Sequence, residues 1–237
     1  MSSALENLAV EMIGLGKRYG RAWILARLNL SIRRGESVAL FGRNGSGKST
    51  LLKIVATLSS PSCGDLRVLG FDARTEKAEI RQKIRLLGHE KQLYDSLTVR
   101  ENLKLAAVIR GVPSKEASSI IDSLVERFQI ARARDRRIDQ LSEGMKKRAV
   151  LARLLLGTTE PDLVVLDEPH LTLDIEGRRL LDELIQKWRE TGKTILLASH
   201  DHDQALMHAD RLLVLEKGGI SYDGTPSKWS GAWGEKA

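Results

Sequence analysis

A glycine-rich segment at residues 42–50 carries residue types that suit the binding of phosphate groups. It fits the pattern G-x-x-x-x-G-K-[ST], which cradles phosphates when it follows a strand and opens a helix. Its glycines let backbone N–H groups turn toward phosphate oxygens, Lys48 brings a positive charge to the β and γ phosphates, and the Ser49 hydroxyl can ligate Mg²⁺. The segment consists of Gly42, Arg43, Asn44, Gly45, Ser46, Gly47, Lys48, Ser49 and Thr50. It predicts a phosphate site with Mg²⁺, and the strand-like residues before it and helix-like residues after it disfavour the alternative, a glycine-rich turn without a ligand.

Two adjacent carboxylates close a second apolar run, Leu163 to Leu166. Asp167 and Glu168 follow it directly, and Pro169 comes next. Neighbouring side chains on a strand point to opposite faces, so the two carboxylates cannot share one role unless the strand ends there, which Pro169 favours. We predict that Asp167 holds Mg²⁺, either as a direct ligand or through a water molecule, and that Glu168 polarises an attacking water molecule. An ordinary acidic strand end is the alternative.

Three apolar runs, at residues 37–41, 163–166 and 194–198, suit buried strands of a mostly parallel sheet covered by helices. Each is followed by polar residues that could do chemistry, and the last is followed by Ser199 and His200. In open α/β sheets, ligands gather beyond the carboxyl ends of the strands. We therefore expect the glycine-rich segment, the two carboxylates and His200 to converge on one site.

The stretch from about residue 94 to 157 has a mainly helical pattern and is predicted to form an inserted lobe. Thr98 to Glu101 is a capping-box pattern that starts a helix. The apolar residues expected along one side of that helix are Leu103, Ala106, Ala107 and Ile109. After the break at Gly111 to Pro113, apolar residues recur at helical spacing between residues 120 and 128.

The composition fits one folded domain. Of 237 residues, 42% are hydrophobic and 29% are charged, so one sizeable core is expected rather than two independent ones. No apolar run approaches the roughly 20 residues of a membrane-crossing helix, and the beginning of the chain lacks the pattern of a secretory signal. A single cysteine, Cys63, excludes an internal disulfide and fits a reducing compartment. The net charge of +7 is compatible with a nucleic acid or an anionic membrane nearby, and equally with a solvated surface.

One further segment narrows the class of protein. Leu141 to Met145 reads Leu-Ser-Glu-Gly-Met, which alone would be only a helix start with Ser142 as its N-cap. Combined with the segments around it, it resembles the signature motif, LSGGQ, of the ATP-binding cassette (ABC) family. The resemblance covers nearly the whole chain in the right order. Tyr19 is similar to the aromatic that stacks on adenine, residues 42–50 to the Walker A motif, residues 163–168 to the Walker B strand, Leu171 to Asp174 to the D-loop, and His200 to the switch histidine.

This resemblance implies an α/β fold of the P-loop NTPase, ABC ATPase type. It has a mostly parallel sheet core, an N-terminal antiparallel β part and an inserted helical subdomain at about 94–157, within a single ATP-binding domain spanning residues 1–237. It also implies that ATP and Mg²⁺ are the cofactors. Two such domains dock head to tail, so that each ATP lies between the Walker motifs of one copy and the signature of the other.

The resemblance also assigns roles to individual residues. The catalytic residues that it implies are Glu168, His200 and His89, and the Mg²⁺ ligands are Ser49 and Asp167. Besides residues 42–50, the nucleotide-binding residues that it implies are Tyr19, Ser142, Gly144 and Asp174. Ser142 and the backbone at Gly144 suit a γ-phosphate because a capped helix N-terminus attracts anions. For Tyr19, burial as an ordinary core aromatic is the alternative.

Two positions depart from the family pattern. Met145 stands where the signature usually ends in glutamine, and we expect this exchange to be tolerated because the phosphate contacts fall elsewhere in the motif. His89 stands where most relatives have the glutamine of the Q-loop, and Gln92 is the alternative if the register is shifted. Because the charge of histidine depends on pH, coupling between Mg²⁺, water and the transport partner is expected to differ at this position.

The function that the resemblance implies is that of an ATP-hydrolysing subunit of an ABC transporter, more specifically an exporter. It would work as a homodimer or with a paired ATPase subunit, peripheral to the cytoplasmic face of the membrane and attached to separately encoded transmembrane permease subunits. The pairs Gly88-His89 and Leu93-Tyr94 resemble the sequence found in the ATPase subunit of the haem exporter used in cytochrome c maturation. Exporters of drugs and polysaccharides share the same general pattern and are the alternative.

A soluble ABC ATPase that acts on nucleic acid is the second hypothesis, which the positive charge would suit. Chromosome and repair ATPases of this kind, however, separate the Walker A and signature motifs by a long coiled coil, and the translational ones carry two cassettes. This chain shows neither pattern, so no nucleic acid partner is expected. A small-molecule kinase, the third hypothesis, leaves the signature and His200 unexplained.

Overall fold

Two β-sheets and six α-helices make up the part of the chain that the computed structural model describes, residues 7–88, 92–171, 173–200 and 206–229. The strands are β1 (Leu8–Tyr19), β2 (Ala22–Arg33), β3 (Ser37–Phe41), β4 (Cys63–Val68), β5 (Phe71–Asp72), β6 (Ile84–Leu87), β7 (Leu163–Asp167), β8 (Thr194–Ala198), β9 (Arg211–Glu216) and β10 (Gly219–Gly224). The helices are α1 (Lys48–Val55), α2 (Lys77–Lys83), α3 (Val99–Ile109), α4 (Ser114–Arg127), α5 (Glu143–Leu154) and α6 (Ile175–Glu190). None of the helices in these ranges has both the length and the hydropathy of a membrane span.

A six-stranded sheet carries the phosphate segment, with the strand order β10-β9-β3-β8-β7-β6. Its strands β9, β3, β8, β7 and β6 are parallel, and β10 pairs with β9 as an antiparallel hairpin at the edge. Strands β3, β7 and β8 are buried along their whole length, which explains their continuous apolar sequences. The three strands predicted from the sequence are therefore confirmed, and their carboxyl ends lie at one edge.

A second, antiparallel sheet packs against the first with the order β2-β1-β4-β5. Strand β3 shows how the core is divided, because its side chains alternate between two hydrophobic layers. Val38 and Leu40 lie in the layer shared with the antiparallel sheet and α1. Ala39 and Phe41 lie in the layer covered by α3 to α6. The central sheet is thus buried on both faces, and only its edges and strand ends are free to bind a ligand.

The stretch predicted to be helical holds α3, α4 and α5. The capping box is present: the Thr98 hydroxyl accepts from the Glu101 amide at 3.1 Å, and the Glu101 carboxylate accepts from the Thr98 amide at 2.8 Å. Leu103, Ala106 and Ala107 are buried as predicted. Ile109 is 69% exposed, so its placement on the same side was wrong. At about 100° per residue, position 109 turns away from the stripe that begins at Leu103.

Candidate nucleotide-binding site

The phosphate segment forms a tight loop between β3 and α1 that only glycine permits at two positions. Gly42 has φ 156°, and a Cβ there would lie 2.4 Å from the Leu215 carbonyl oxygen. Gly47 has φ 108°, and a Cβ there would lie 2.8 Å from Leu25 Cδ2 of β2. The loop is therefore pressed against both sheets, and its backbone reaches the N-terminus of α1 without side chains in the way.

Lys48, the first residue of α1, folds back over this loop. Its ammonium donates hydrogen bonds to the carbonyl oxygens of Gly42 at 2.7 Å and Arg43 at 3.4 Å. Burial lowers the pKa of Lys48, and the charges of Glu168 and Asp167 partly oppose that shift. Among the described residues this ammonium is hydrogen-bonded to carbonyl oxygens, so it can exchange them for a phosphate oxygen, which carries a full opposite charge.

Two buried polar atoms beside the loop have no hydrogen-bond partner within the described residues, Ser46 Oγ and Asp167 Oδ1. Asp167 is only 4% exposed, and a buried carboxylate oxygen without a donor is costly unless a ligand satisfies it. Ser49 is half-buried in the first turn of α1. Hydroxyl and carboxylate oxygens are the ligands that Mg²⁺ prefers, usually one or two from the protein and the rest from phosphates and water. Ser49 and Asp167 therefore fit a Mg²⁺ ion, which would neutralise charge on the β and γ phosphates.

Glu168 follows the last residue of β7 with a left-handed backbone, φ 49°. The strand ends between the two carboxylates, as predicted, so Asp167 and Glu168 are free to serve one site. Strands β7 and β8 are neighbours with Asp167 opposite Ala198, and this register brings His200 to Glu168. Glu168 Oε2 accepts from the His200 amide at 3.2 Å and lies 2.7 Å from its ring Nδ1. The predicted convergence of these strand ends is confirmed.

The signature residues form a second group. Ser142 is exposed and caps α5, its hydroxyl accepting from the Met145 amide at 3.3 Å. Asp174 caps α6 through the Gly177 amide at 2.8 Å and also accepts from Arg148 at 3.1 Å. Its carboxylate lies beside Gly144, where a Cβ would be 3.0 Å from Oδ2. Within the described ranges, no hydrogen bond or ion pair joins Ser142 or Gly144 to residues 42–50.

Tyr19 lies at the exposed tip of the β1–β2 hairpin. Its side chain is 54% exposed, so the alternative of an ordinary core aromatic was wrong. The Lys17 ammonium lies 5.0 Å from the ring centroid. Lys17 pairs with Leu25 of β2, the residue next to Gly47 of the phosphate loop. Tyr19 therefore lies two residues along β1 from the point at which the hairpin contacts that loop. An exposed ring here is free to stack on a base.

His89, proposed for the Q-loop position, lies outside the described residues, so its role stays a prediction. Gln92, the alternative, is half-buried and accepts from Arg153 at 3.3 Å, while its own amide reaches the Gly88 carbonyl oxygen at 3.4 Å. Gln92 and Asp167 line the same cavity.

Comparison with known proteins identifies the family. A family model described as "ABC transporter" matches residues 25–171, more than half of the chain. The chain belongs to this ABC transporter family. It is 35% identical over 198 residues to the ABC transporter ATP-binding protein NatA of Bacillus subtilis, which covers 83% of this chain and 80% of that protein. It is 36% identical over 225 residues to the Nod factor export ATP-binding protein I of Rhizobium johnstonii, which covers 95% of this chain and 72% of that protein.

Solved structures of the family have the same fold. An ATP-binding subunit of an ABC transporter superposes with a TM-score of 0.82 at 29% identity, covering 92% of this chain and 90% of that one. A dimeric ATP-binding cassette in a post-hydrolysis state, bound to ADP and Pi, also has a TM-score of 0.82, at 27% identity, with 92% and 98% covered. The chain is thus an ABC ATPase with the P-loop fold, and it is the ATP-binding subunit of a transporter.

Two groups of functional interest were missed by the sequence analysis. The first is a cluster in which Asp182 of α6 accepts from both His170 and His208. The second is a set of arginines around the cavity that Gln92 lines. The sequence feature that could have indicated the first group is Asp182 itself, a carboxylate that directly follows the buried Leu181 at the edge of the apolar face of α6. The two histidines gave no metal-ligand spacing, and no group of three or more His, Cys, Asp or Glu among the described residues could hold a metal ion.

Proposed function

We propose that this subunit powers an exporter by closing around two ATP molecules as a dimer of ABC domains, docked on separate transmembrane subunits. Each ATP would lie between residues 42–50 of one copy, with Ser49 and Asp167 holding Mg²⁺, and Ser142 with Gly144 of the other. In this proposal, residues 1–237 form a single ATP-binding domain with a helical subdomain at about 94–157.

The observation that carries the proposal is the separation of two incomplete half-sites. Lys48, Asp167, Glu168 and His200 cluster at the carboxyl edge of the sheet, and orphan polar atoms remain there. Ser142 is exposed at a helix N-terminus with no bond to that cluster within the described residues. A helix N-terminus attracts anions. A second copy would bring its Ser142 to the γ-phosphate held by the first.

The chemistry assigned to the cluster follows from its hydrogen bonds. The Glu168 carboxylate contacts the amide and the ring of His200, and it can also accept a hydrogen bond from an attacking water molecule and take its proton. Lys48 and the amides at the start of α1 stabilise negative charge that develops on the phosphate oxygens. Hydrolysis then removes the γ-phosphate that both copies hold, and the dimer loses its main bridging contact.

We place the membrane subunit on the surface around the cavity between α1 and the helical stretch. The cavity has a volume of about 950 Å³. Three large apolar side chains line it yet remain exposed: Leu58, Tyr94 and Ile109. Exposed apolar groups of this size grouped at a cavity mark an interaction surface. We call this the arginine cavity because of the charges described next.

Four guanidinium groups line the arginine cavity without a carboxylate partner among the described residues. They are those of Arg81, Arg85, Arg110 and Arg153. Their hydrogen bonds go to neutral oxygens, such as Thr57 Oγ1 for Arg81 and the Thr159 carbonyl for Arg85. Burial, together with the charge of Arg110, lowers the pKa of Arg85 to about 10. Burial and the charge of Arg153 also lower the pKa of Arg110. The positive charges of these arginines repel one another. In this proposal, the cavity binds a cytoplasmic segment of the permease whose acidic side chains neutralise those charges and whose apolar side chains contact the exposed apolar groups.

Export as the direction of transport is supported by the relative named for Nod factor export. Docking on a permease would hold the subunit at the cytoplasmic face of the membrane. The haem exporter assignment stays a prediction, and cargo selectivity belongs to the membrane subunit in this proposal. A nucleic acid is not expected as a partner, because the uncompensated arginines lie in a cavity rather than along an exposed stripe.

The decisive experiment on the cycle uses Glu168→Gln, which keeps the size and hydrogen-bonding of the side chain but removes its basicity. We expect ATP binding within about threefold of the wild type, hydrolysis slowed by at least 100-fold, and a stable ATP-bound dimer in gel filtration. Glu183→Gln, an exposed carboxylate on α6, is the matched control. Normal hydrolysis by Glu168→Gln would contradict the assignment.

Docking is tested separately by charge reversal. Arg110→Glu and Arg153→Glu should abolish co-purification with the permease while basal hydrolysis by the isolated subunit persists. Arg179→Glu, an exposed arginine on α6, should have no effect on either. If both cavity variants still co-purified with the permease, the interface would have to lie elsewhere on the subunit.

A further inference from the structure

Two buried imidazoles share one carboxylate behind the catalytic edge. His170 Nε2 lies 2.8 Å and His208 Nε2 lies 3.0 Å from the same oxygen, Oδ1 of Asp182. The two histidines are 6% and 7% exposed. Because an ionised carboxylate only accepts hydrogen bonds, both imidazoles donate to Asp182. The carboxylate therefore joins three segments that are distant in sequence.

The histidines depend on Asp182 for their hydrogen bonding. Nδ1 of each ring is buried and has no partner within the described residues. Although burial raises the pKa of Asp182, the hydrogen bonds from His170 and His208 outweigh it and hold that pKa well below its usual range. The charged groups nearby are otherwise engaged: Arg179 pairs with Glu176 and Glu183, and Arg189 pairs with Asp210. Without Asp182, the two buried rings would lose the hydrogen bonds of their Nε2 atoms, and no other described group is placed to replace them.

His170 lies two residues after Glu168, in the turn that follows β7. Glu168 has φ 49°, a left-handed conformation that is strained for a residue other than glycine. Among the described residues of the turn, the backbone hydrogen bonds are long ones, from the Leu171 amide to the Glu168 carbonyl oxygen at 3.2 Å and from the Leu173 amide to the His170 carbonyl oxygen at 3.3 Å. Such a backbone persists when its surroundings fix it on both sides. On the N-terminal side, the Glu168 amide donates a hydrogen bond to the Ala198 carbonyl oxygen at 2.9 Å. On the C-terminal side, the turn is held by the contact of His170 with Asp182.

His208 connects the same carboxylate to residues 206–210, which directly precede β9. Its ring reaches Asp182, and its backbone carbonyl accepts from the Ser37 hydroxyl at the start of β3. Strands β3 and β8, which flank this region, contain no ionisable side chain. Asp182 is thus the described carboxylate of α6 that contacts both the turn after Glu168 and His208, while Arg189 of α6 pairs separately with Asp210.

We propose that Asp182, through His170 and His208, positions Glu168 to activate the water molecule that attacks ATP. The three are positioning residues, since none contacts the reacting atoms, and this inference rests on the proposed role of Glu168. Removal of the carboxylate should let the turn after β7 relax from its left-handed conformation. The rate of hydrolysis should fall while ATP binding, made by residues 42–50, is unchanged.

The test compares Asp182→Ala and Asp182→Asn with Glu183→Ala, the exposed neighbour on α6, at a temperature well below the Tm of each. We expect kcat to fall about tenfold in Asp182→Ala, with KM and the Kd for ATP within about twofold of the wild type. Asp182→Asn should retain an intermediate rate because its amide oxygen still accepts. Should Asp182→Ala not fold, His170→Leu and His170→Gln carry the same comparison, since only glutamine can donate to Asp182.

A double variant separates this inference from the role of Glu168 itself. If Asp182 acts through Glu168, adding Asp182→Ala to Glu168→Gln should not lower the residual single-turnover rate further. An additive loss would overturn the inference and leave the role of Glu168 intact. Wild-type kcat in Asp182→Ala, or a loss that conservative variants do not rescue, would also overturn it.

Discussion

The Glu168 carboxylate is held by His200 at two points, 3.2 Å from its amide nitrogen and 2.7 Å from its ring Nδ1. Because the carboxylate can only accept, Nδ1 carries a proton, which leaves Nε2 available for another partner. Glu168 is nearly buried, whereas the ring of His200 is 57% exposed. The histidine therefore links Glu168, the proposed general base, to the surface on which a second copy and the γ-phosphate would meet.

Removal of the His200 ring should slow hydrolysis more than it weakens ATP binding. We expect His200→Ala to lower kcat about 10- to 100-fold, since a hydrogen bond to a charged group contributes about 1.5–3 kcal/mol. His200→Gln should retain part of the rate because its amide can donate to Glu168. Steady-state kinetics with parallel binding measurements check this, and an unchanged kcat in His200→Ala would refute the role of the ring.

Lys48 should be required for nucleotide binding but contribute little to the stability of the fold. Within the part of the chain that the structure describes, its ammonium donates hydrogen bonds to loop carbonyl oxygens, and burial disfavours its charge, so Lys48→Ala should keep a Tm within a few degrees of the wild type. The rise in Tm on addition of Mg²⁺ and ATP should disappear. Lys77→Ala, on the exposed helix α2, is the control that should keep that rise. A full ATP-induced shift in Lys48→Ala would contradict the phosphate assignment.

Tyr19 has a matched comparison on the same hairpin. Trp23 is 53% exposed, almost the same as Tyr19, but only Tyr19 is assigned to the adenine base. Tyr19→Ala should raise the Kd for ATP about tenfold, in line with about 1–3 kcal/mol for stacking of one base, while Tyr19→Phe should not. Trp23→Ala should bind ATP as the wild type does. If Trp23→Ala alone weakens binding, the stacking ring is Trp23.

Asp182 should also contribute to stability in a way that depends on pH. Its folded-state pKa lies below the usual 3.8, so its contribution is complete above that value and is lost as the pH falls toward the folded pKa. Asp182→Asn should lower the free energy of unfolding by about 1 kcal/mol at pH 5, a modest figure because the carboxylate is partly exposed. In urea unfolding, the difference in the free energy of unfolding between the wild type and Asp182→Asn, here called the gap, should be smaller at pH 3.5 than at pH 5. A gap that is constant or wider at pH 3.5 would contradict the hydrogen-bonding pattern.

The strand ends were predictable because their chemistry is local. Residues 42–50 specify a phosphate loop by residue type alone, and Pro169 marks the end of β7 within two residues. Convergence of Asp167 and His200 follows from the rule that parallel strands end at one edge. These steps need only spacing and composition.

The Asp182 cluster and the arginine cavity depend on contacts across long stretches of chain. His170 and His208 are separated by 38 positions, and the sequence does not show that both rings reach one carboxylate on α6. Arg85, Arg110 and Arg153 come from separate elements, and each alone has the pattern of an ordinary surface arginine. Only their positions around one cavity reveal the unmatched charge.

The most direct test of the composite site is a disulfide between two copies. Cys63 is the only cysteine, so Cys63→Ser provides a clean background together with Glu168→Gln. One copy carries Asn44→Cys in the phosphate loop and the other, tagged to a different size, carries Glu143→Cys beside Ser142. We predict an ATP-dependent crosslink that joins the two chains and is absent without nucleotide or with either cysteine alone. ATP binding without such a crosslink would contradict a nucleotide shared between two copies.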